Sequence, residues 1–74
     1  MGKLRVLSGQ QVCKILEQFG YIAVRQRGSH IVMQKRNQDL TTTVPVPNHP
    51  EIRIGTLQSI IRQTGLPRSL FEVS

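Results

Sequence analysis

The sequence predicts an α+β domain in the order helix, three short strands, helix, with the strands forming an antiparallel sheet that carries both helices on one face. Three observations carry this prediction. Two stretches place apolar residues at helical spacing, one early and one late in the chain; three β-rich segments lie between them; and each helix has a single apolar stripe to bury. At 74 residues the chain reads as one domain, 1–74, near the lower size at which one core holds a fold without disulfides or metal.

The first helix is expected over Ser8 to Gly20. Val12, Ile15, Leu16 and Phe19 repeat at helical spacing, with Gln10, Lys14, Glu17 and Gln18 mostly off that stripe. Ser8 with Gln11 three residues on matches a capping box, and Gly20 can take the left-handed conformation that ends a helix. Tyr21 to Arg27 reads as the first strand, with β-branched Ile22 and Val24. Gly28 and Ser29 supply a turn, and His30 to Lys35 forms a second strand whose buried face is left open by the run Ile31, Val32, Met33. Arg36 to Asp39 is a polar loop before the third strand, Leu40 to Val46. There Pro45 and Pro47 cannot donate to a central ladder, so the strand's end lies at a sheet edge or outside the sheet. After a loop over residues 48–53, Ile54 to Thr64 carries Leu57, Ile60 and Ile61 at helical spacing and is closed by Gly65 and Pro67. The tail from Pro67 to Ser74 is either one further short helical turn or frayed.

Charge narrows the partner. Ten Lys and Arg oppose four Asp and Glu, a net +6, which favours an anionic partner: nucleic acid or an acidic protein. Aromatic residues are few and Trp is absent, so an aromatic platform for stacked bases is not expected. Cys13 is the single cysteine, which excludes an intrachain disulfide. No apolar run approaches the roughly 18 residues that span a bilayer. A cytoplasmic protein, neither secreted nor membrane-anchored, is therefore expected.

Histidine is the side chain whose ordinary charge change falls near neutral pH, so acid–base chemistry would fall to His30 or His49. His30 is the better placed, at the start of a strand, beside the Gly28–Ser29 turn and close to Arg25 and Arg27. The sheet face without helices is free for a polyanion, with Arg25, Arg27 and Lys35 as contributors. One cysteine and no paired histidine spacing argue against zinc, and the scattered acids Glu17, Asp39, Glu51 and Glu72 form no two-metal or glycosidase pattern, so no metal or other cofactor is expected. RNA cleavage without metal is chemically accessible, because the ribose 2′-hydroxyl attacks the adjacent phosphorus once a base removes its proton.

Gly20-Tyr21, then Arg25-Gln26-Arg27-Gly28-Ser29-His30, Thr42-Thr43-Val44-Pro45, His49, Gly55-Thr56-Leu57, Ser59-Ile60-Ile61 and Gly65-Leu66 together resemble the HicA (YcfA-like) mRNA interferase toxins over residues 8–66. The resemblance implies a double-stranded-RNA-binding-like fold, a metal-independent endoribonuclease acting on mRNA, and an acidic antitoxin of the HicB type that covers the active site. It also implies that His30 is catalytic and that Gly28 and Ser29 form the turn presenting it, with His49 in a Pro-x-His loop as a further RNA-binding candidate. Two departures are local: Ile31-Val32-Met33 replaces more polar or aromatic residues, and the 36–39 loop lacks Gly or Pro. Two other readings have different signatures. A non-catalytic RNA-binding module of the same fold does not need His30, and a protein whose basic face only docks an acidic partner has no RNA affinity. Homo-oligomerisation is possible but not predicted.

Overall fold

The computed structural model describes residues 2–73 and has the expected α-β-β-β-α order: α1 (Gly9–Glu17), β1 (Ile22–Arg27), β2 (His30–Asn37), β3 (Leu40–Pro47) and α2 (Ile54–Thr64), followed by a single 3₁₀ turn (Arg68–Phe71). Among the described residues no helix is long and apolar enough to cross a membrane.

α1 begins with the reciprocal cap its sequence specifies. Gln11 N–H donates to Ser8 Oγ at 3.1 Å, and Ser8 N–H donates to Gln11 Oε1 at 2.8 Å, so two of the amides a helix start leaves unpartnered are satisfied. The helix ends at Glu17, three residues short of Gly20, whose φ of 95° turns the chain into β1. Gly9 is required for another reason. It is buried where α1 meets the segment after β3, its N–H donates to His49 O at 2.9 Å, and a Cβ there would overlap the Pro47 carbonyl oxygen.

The sheet order is β1-β2-β3, all antiparallel, with β2 central. Pro45 and Pro47 lie inside β3, which runs one residue further than expected, and β3 is an edge strand. Two residues apart, the prolines share one backbone direction, so their missing donors face away from β2. β2 also exceeds its expected end, because the 36–39 loop contracts to a two-residue turn at Gln38–Asp39 with Gln38 at φ 35°.

Both helices pack on the sheet face that carries Met33, Val44 and Val46, all fully buried. Val12 and Leu16 of α1 and Leu57 and Ile60 of α2 complete the centre of this core. The ends of the chain also contribute. Leu7 and Phe71 are buried in the same cluster, and the segment before α1 is stitched to the 3₁₀ turn by Arg5 N–H to Phe71 O at 2.8 Å and Val73 N–H to Lys3 O at 2.7 Å. Of the two readings of the tail, the helical turn is the one realised, and Phe71 anchors it.

Candidate functional site

Three rows on the helix-free face cross all three strands: Ile22, Gln34 and Thr43; Arg25, Val32 and Pro45; Arg27, His30 and Pro47; beyond them Arg36 pairs with Thr41 on the same face. The second and third rows depend on a β-bulge. Ile22 pairs with Gln34 and Ala23 with Met33, but Arg25 pairs with Val32, leaving Val24 as an extra residue in β1. One extra residue reverses side-chain alternation. Without it Arg25 and Arg27 would share the face of Ala23, beneath the helices; with it both stand beside His30.

His30 opens β2 immediately after the Gly28–Ser29 turn, where Gly28 has φ 58° and so occupies a conformation glycine tolerates best. The turn is tied down on both sides. Gln26 Nε2 donates to Gly28 O at 3.3 Å, and Asn48 N–H, from the segment after β3, donates to Ser29 O at 2.6 Å. These bonds hold the hairpin tip and therefore the base of the His30 side chain.

Arg25, Arg27, His30, Val32, Thr43 and Pro45 line one cleft of about 340 Å³. Its rim is polar and exposed, but Val32, on the face without helices, is only 6% exposed and lies apart from the main core cluster. The cleft thus has an apolar floor of Val32 and Pro45 under two guanidinium groups and an imidazole. Among the described residues the one ion pair is Arg68 with Glu72, so neither cleft arginine is neutralised by a carboxylate. Arginines in this setting suit a phosphate, which their planar forks bind through paired hydrogen bonds.

A family model described as HicA toxin of bacterial toxin-antitoxin systems matches residues 9–66. The chain belongs to the HicA toxin family. It is accordingly the toxin component of a toxin–antitoxin module and has an antitoxin as its partner. Comparison with curated proteins and with solved structures finds no match. The family match takes in α1, the whole sheet and α2, whereas the N-terminal segment and the 3₁₀ turn lie outside it.

Not every residue expected at the site of this HicA toxin is there. Lys35 requires a correction: it pairs with Thr42 on the helix-bearing face, where its Nζ lies 5.8 Å from the centre of the Tyr21 ring. Its alkyl stem passes beside Gly20, and it makes no part of the His30 cleft. Burial raises the Tyr21 phenol above its ordinary pKa, with a smaller opposing effect from a hydrogen bond with Thr42. His49 lies in the loop after β3, exposed, in a separate shallow cleft with Ser8, Gln10, Asn48 and Pro50. No three His, Cys, Asp or Glu side chains converge among the described residues. Cys13 is buried in α1, and desolvation, with a lesser contribution from Glu17, raises its thiol pKa and favours the neutral thiol over the thiolate.

Sequence reasoning missed Val32, Gln34, Thr43 and Pro45 as parts of this face. A signal for three of them was present. The spacing of Pro45 and Pro47 fixes the alternation of β3, which puts Val44 and Val46 in the core and Thr43 on the open face; register then carries Val32 with Pro45. The bulge at Val24 left no mark in composition.

Proposed function

We propose that this HicA toxin is a metal-independent endoribonuclease acting on mRNA, with His30 as its catalytic residue and Arg25 and Arg27 as phosphate ligands. The observation that carries this reading is the bulge-dependent convergence of these three side chains on one cleft of the helix-free face. In the reaction, His30 takes the proton of a ribose 2′-hydroxyl as that oxygen attacks the adjacent phosphorus. The arginines stabilise the charge that builds on the phosphorane oxygens, and the bond to the 5′-oxygen breaks. That oxygen leaves as a 5′-hydroxyl on taking a proton from water, the other fragment ends in a 2′,3′-cyclic phosphate, and the protonated His30 returns its proton to solvent. DNA, lacking the 2′-hydroxyl, is not a substrate for this route.

The antitoxin on this reading is an acidic protein of the HicB type that covers the cleft, and the toxin acts in the cytoplasm, where mRNA is. An acidic surface seated on Arg25, Arg27 and His30 blocks phosphate access by charge and by shape.

The test compares cleavage of a defined single-stranded mRNA, in EDTA, by the wild type and by His30→Ala, after both are shown to fold. Cleavage by the wild type and a loss of about 100-fold or more in the variant, the scale of general acid–base catalysis, supports the proposal. RNA that is bound but left intact by the wild type would establish the non-catalytic RNA-binding module instead.

A further inference from the structure

The cleft beside His30 holds more than cations. Its arginines lie on β1 and its hydroxyl, Thr43, on β3, and adjacent strands are about 4.8 Å apart, so the two sides of the cleft are separated by about 10 Å. Between them the floor is Val32 and Pro45, an apolar strip in one cross-strand row with Arg25. At about 340 Å³ the cleft falls within the range of about 300–1,000 Å³ usual for small-ligand pockets. A charged rim, a flat apolar floor and a far polar group match the three parts of a nucleotide in order: phosphate, ring faces, ring edge.

Thr43 is not a free rotor. Gln34 Nε2 donates to its Oγ1 at 3.2 Å, so one lone pair is occupied and the hydroxyl hydrogen remains to be given to a ligand. Accepting that bond polarises the hydroxyl, which becomes a better donor while its remaining lone pair becomes a poorer acceptor, so a carbonyl opposite it is favoured over an amino group. Uracil and guanine present a carbonyl on the edge where cytosine and adenine present an amino group. Tyr21 and Phe71 are buried in the core and no aromatic ring lines the cleft, so its floor offers a base aliphatic contact.

We infer that Thr43, oriented by Gln34, is a specificity-determining residue that selects a keto base seated on Val32 and Pro45. This rests on the ribonuclease reading for its biological use, but the base pocket is tested separately from catalysis. Uridine 3′-monophosphate and cytidine 3′-monophosphate, equal in size and differing at the ring edge, are titrated into wild type, Thr43→Val and Thr43→Ser. Chemical-shift changes are followed at Val32 and residue 43, and cleavage of RNA by the same wild-type preparation is measured in parallel. Thr43 is exposed and Val keeps its branched shape, so the fold is expected to survive.

The expected result is tighter binding of the uridine nucleotide by about fivefold, the scale of one hydrogen bond, with that ratio collapsing toward one in Thr43→Val and kept in Thr43→Ser. Equal binding of the two nucleotides by the wild type, a ratio unmoved by Thr43→Val, or no shift at Val32 with either nucleotide overturns the inference. Thr43-dependent preference in a protein that leaves RNA intact upholds the pocket and sinks the catalytic reading. Cleavage without that preference does the reverse.

Discussion

The two faces of the sheet are built from the same three strands and have opposite characters. On one, Met33, Val44 and Val46 have no exposed surface and lie beneath two helices. On the other, Arg25, Arg27 and His30 are exposed, and Val32 alone is buried among them. Alternation along a strand assigns one face to stability and leaves the other free for chemistry. In β1 the bulge at Val24 shifts the phase, which delivers two arginines to the open face while Tyr21, just before the strand, stays buried.

The contrast predicts that stability and activity respond to different substitutions. The largest loss is expected on the helix-bearing side, where Phe71→Ala empties a fully buried site and costs about 3–5 kcal/mol, close to the whole stability of so small a domain. Urea denaturation checks it, and a change below about 1 kcal/mol would remove the tail from the core. Gly9→Ala comes next, at about 1–3 kcal/mol, because the added methyl must displace the Pro47 carbonyl. Thermal unfolding measures this, and an unchanged melting temperature would mean that the loop after β3 yields freely.

Alkali separates the faces in another way. Cys13 and Tyr21, both on the buried side, have raised native pKa values, so the unfolded chain gives up their protons first. Their stabilising contribution is intact below pH 9, the ordinary thiol value, and is lost as pH rises through their native pKa values. Urea midpoints should fall from pH 8 to pH 10.5, and less steeply in Cys13→Ala; equal slopes would contradict burial of the thiol. The smallest stability effects belong to turns and to the open face. Gln38→Gly relieves a positive φ and is expected to add about 0.5–1 kcal/mol, whereas Arg25→Gln should change stability by no more than about 0.5 kcal/mol. The same arginine variant should lower the salt dependence of RNA binding by about 0.7 in log–log slope, the contribution of one phosphate contact to a single strand.

Much of this arrangement was legible in the sequence because it is local. The Ser8–Gln11 cap, the left-handed glycines at 20 and 65 and the full extent of α2 follow from residues within a few positions of each other. The faces of β2 were not legible, and the reason is physical. Ile31, Val32 and Met33 form an apolar run because both faces bury something: Met33 enters the core and Val32 floors the cleft. Lys35 was expected on the open face by charge alone, yet it stands two residues from Met33 in β2 and so shares the helix side. Leu7, Ile52 and Phe71 complete the core through contacts between segments distant along the chain, which periodicity cannot report.

The most direct test of the division between faces is to map an RNA oligonucleotide, made uncleavable by 2′-O-methyl substitution throughout, onto the backbone amide spectrum of the wild-type toxin. Shifts centred on Arg25, Arg27, His30, Val32 and Thr43, with Met33, Lys35 and the α2 residues unmoved, are predicted. Shifts centred on Lys35 and the helices, with the His30 row silent, would contradict the account.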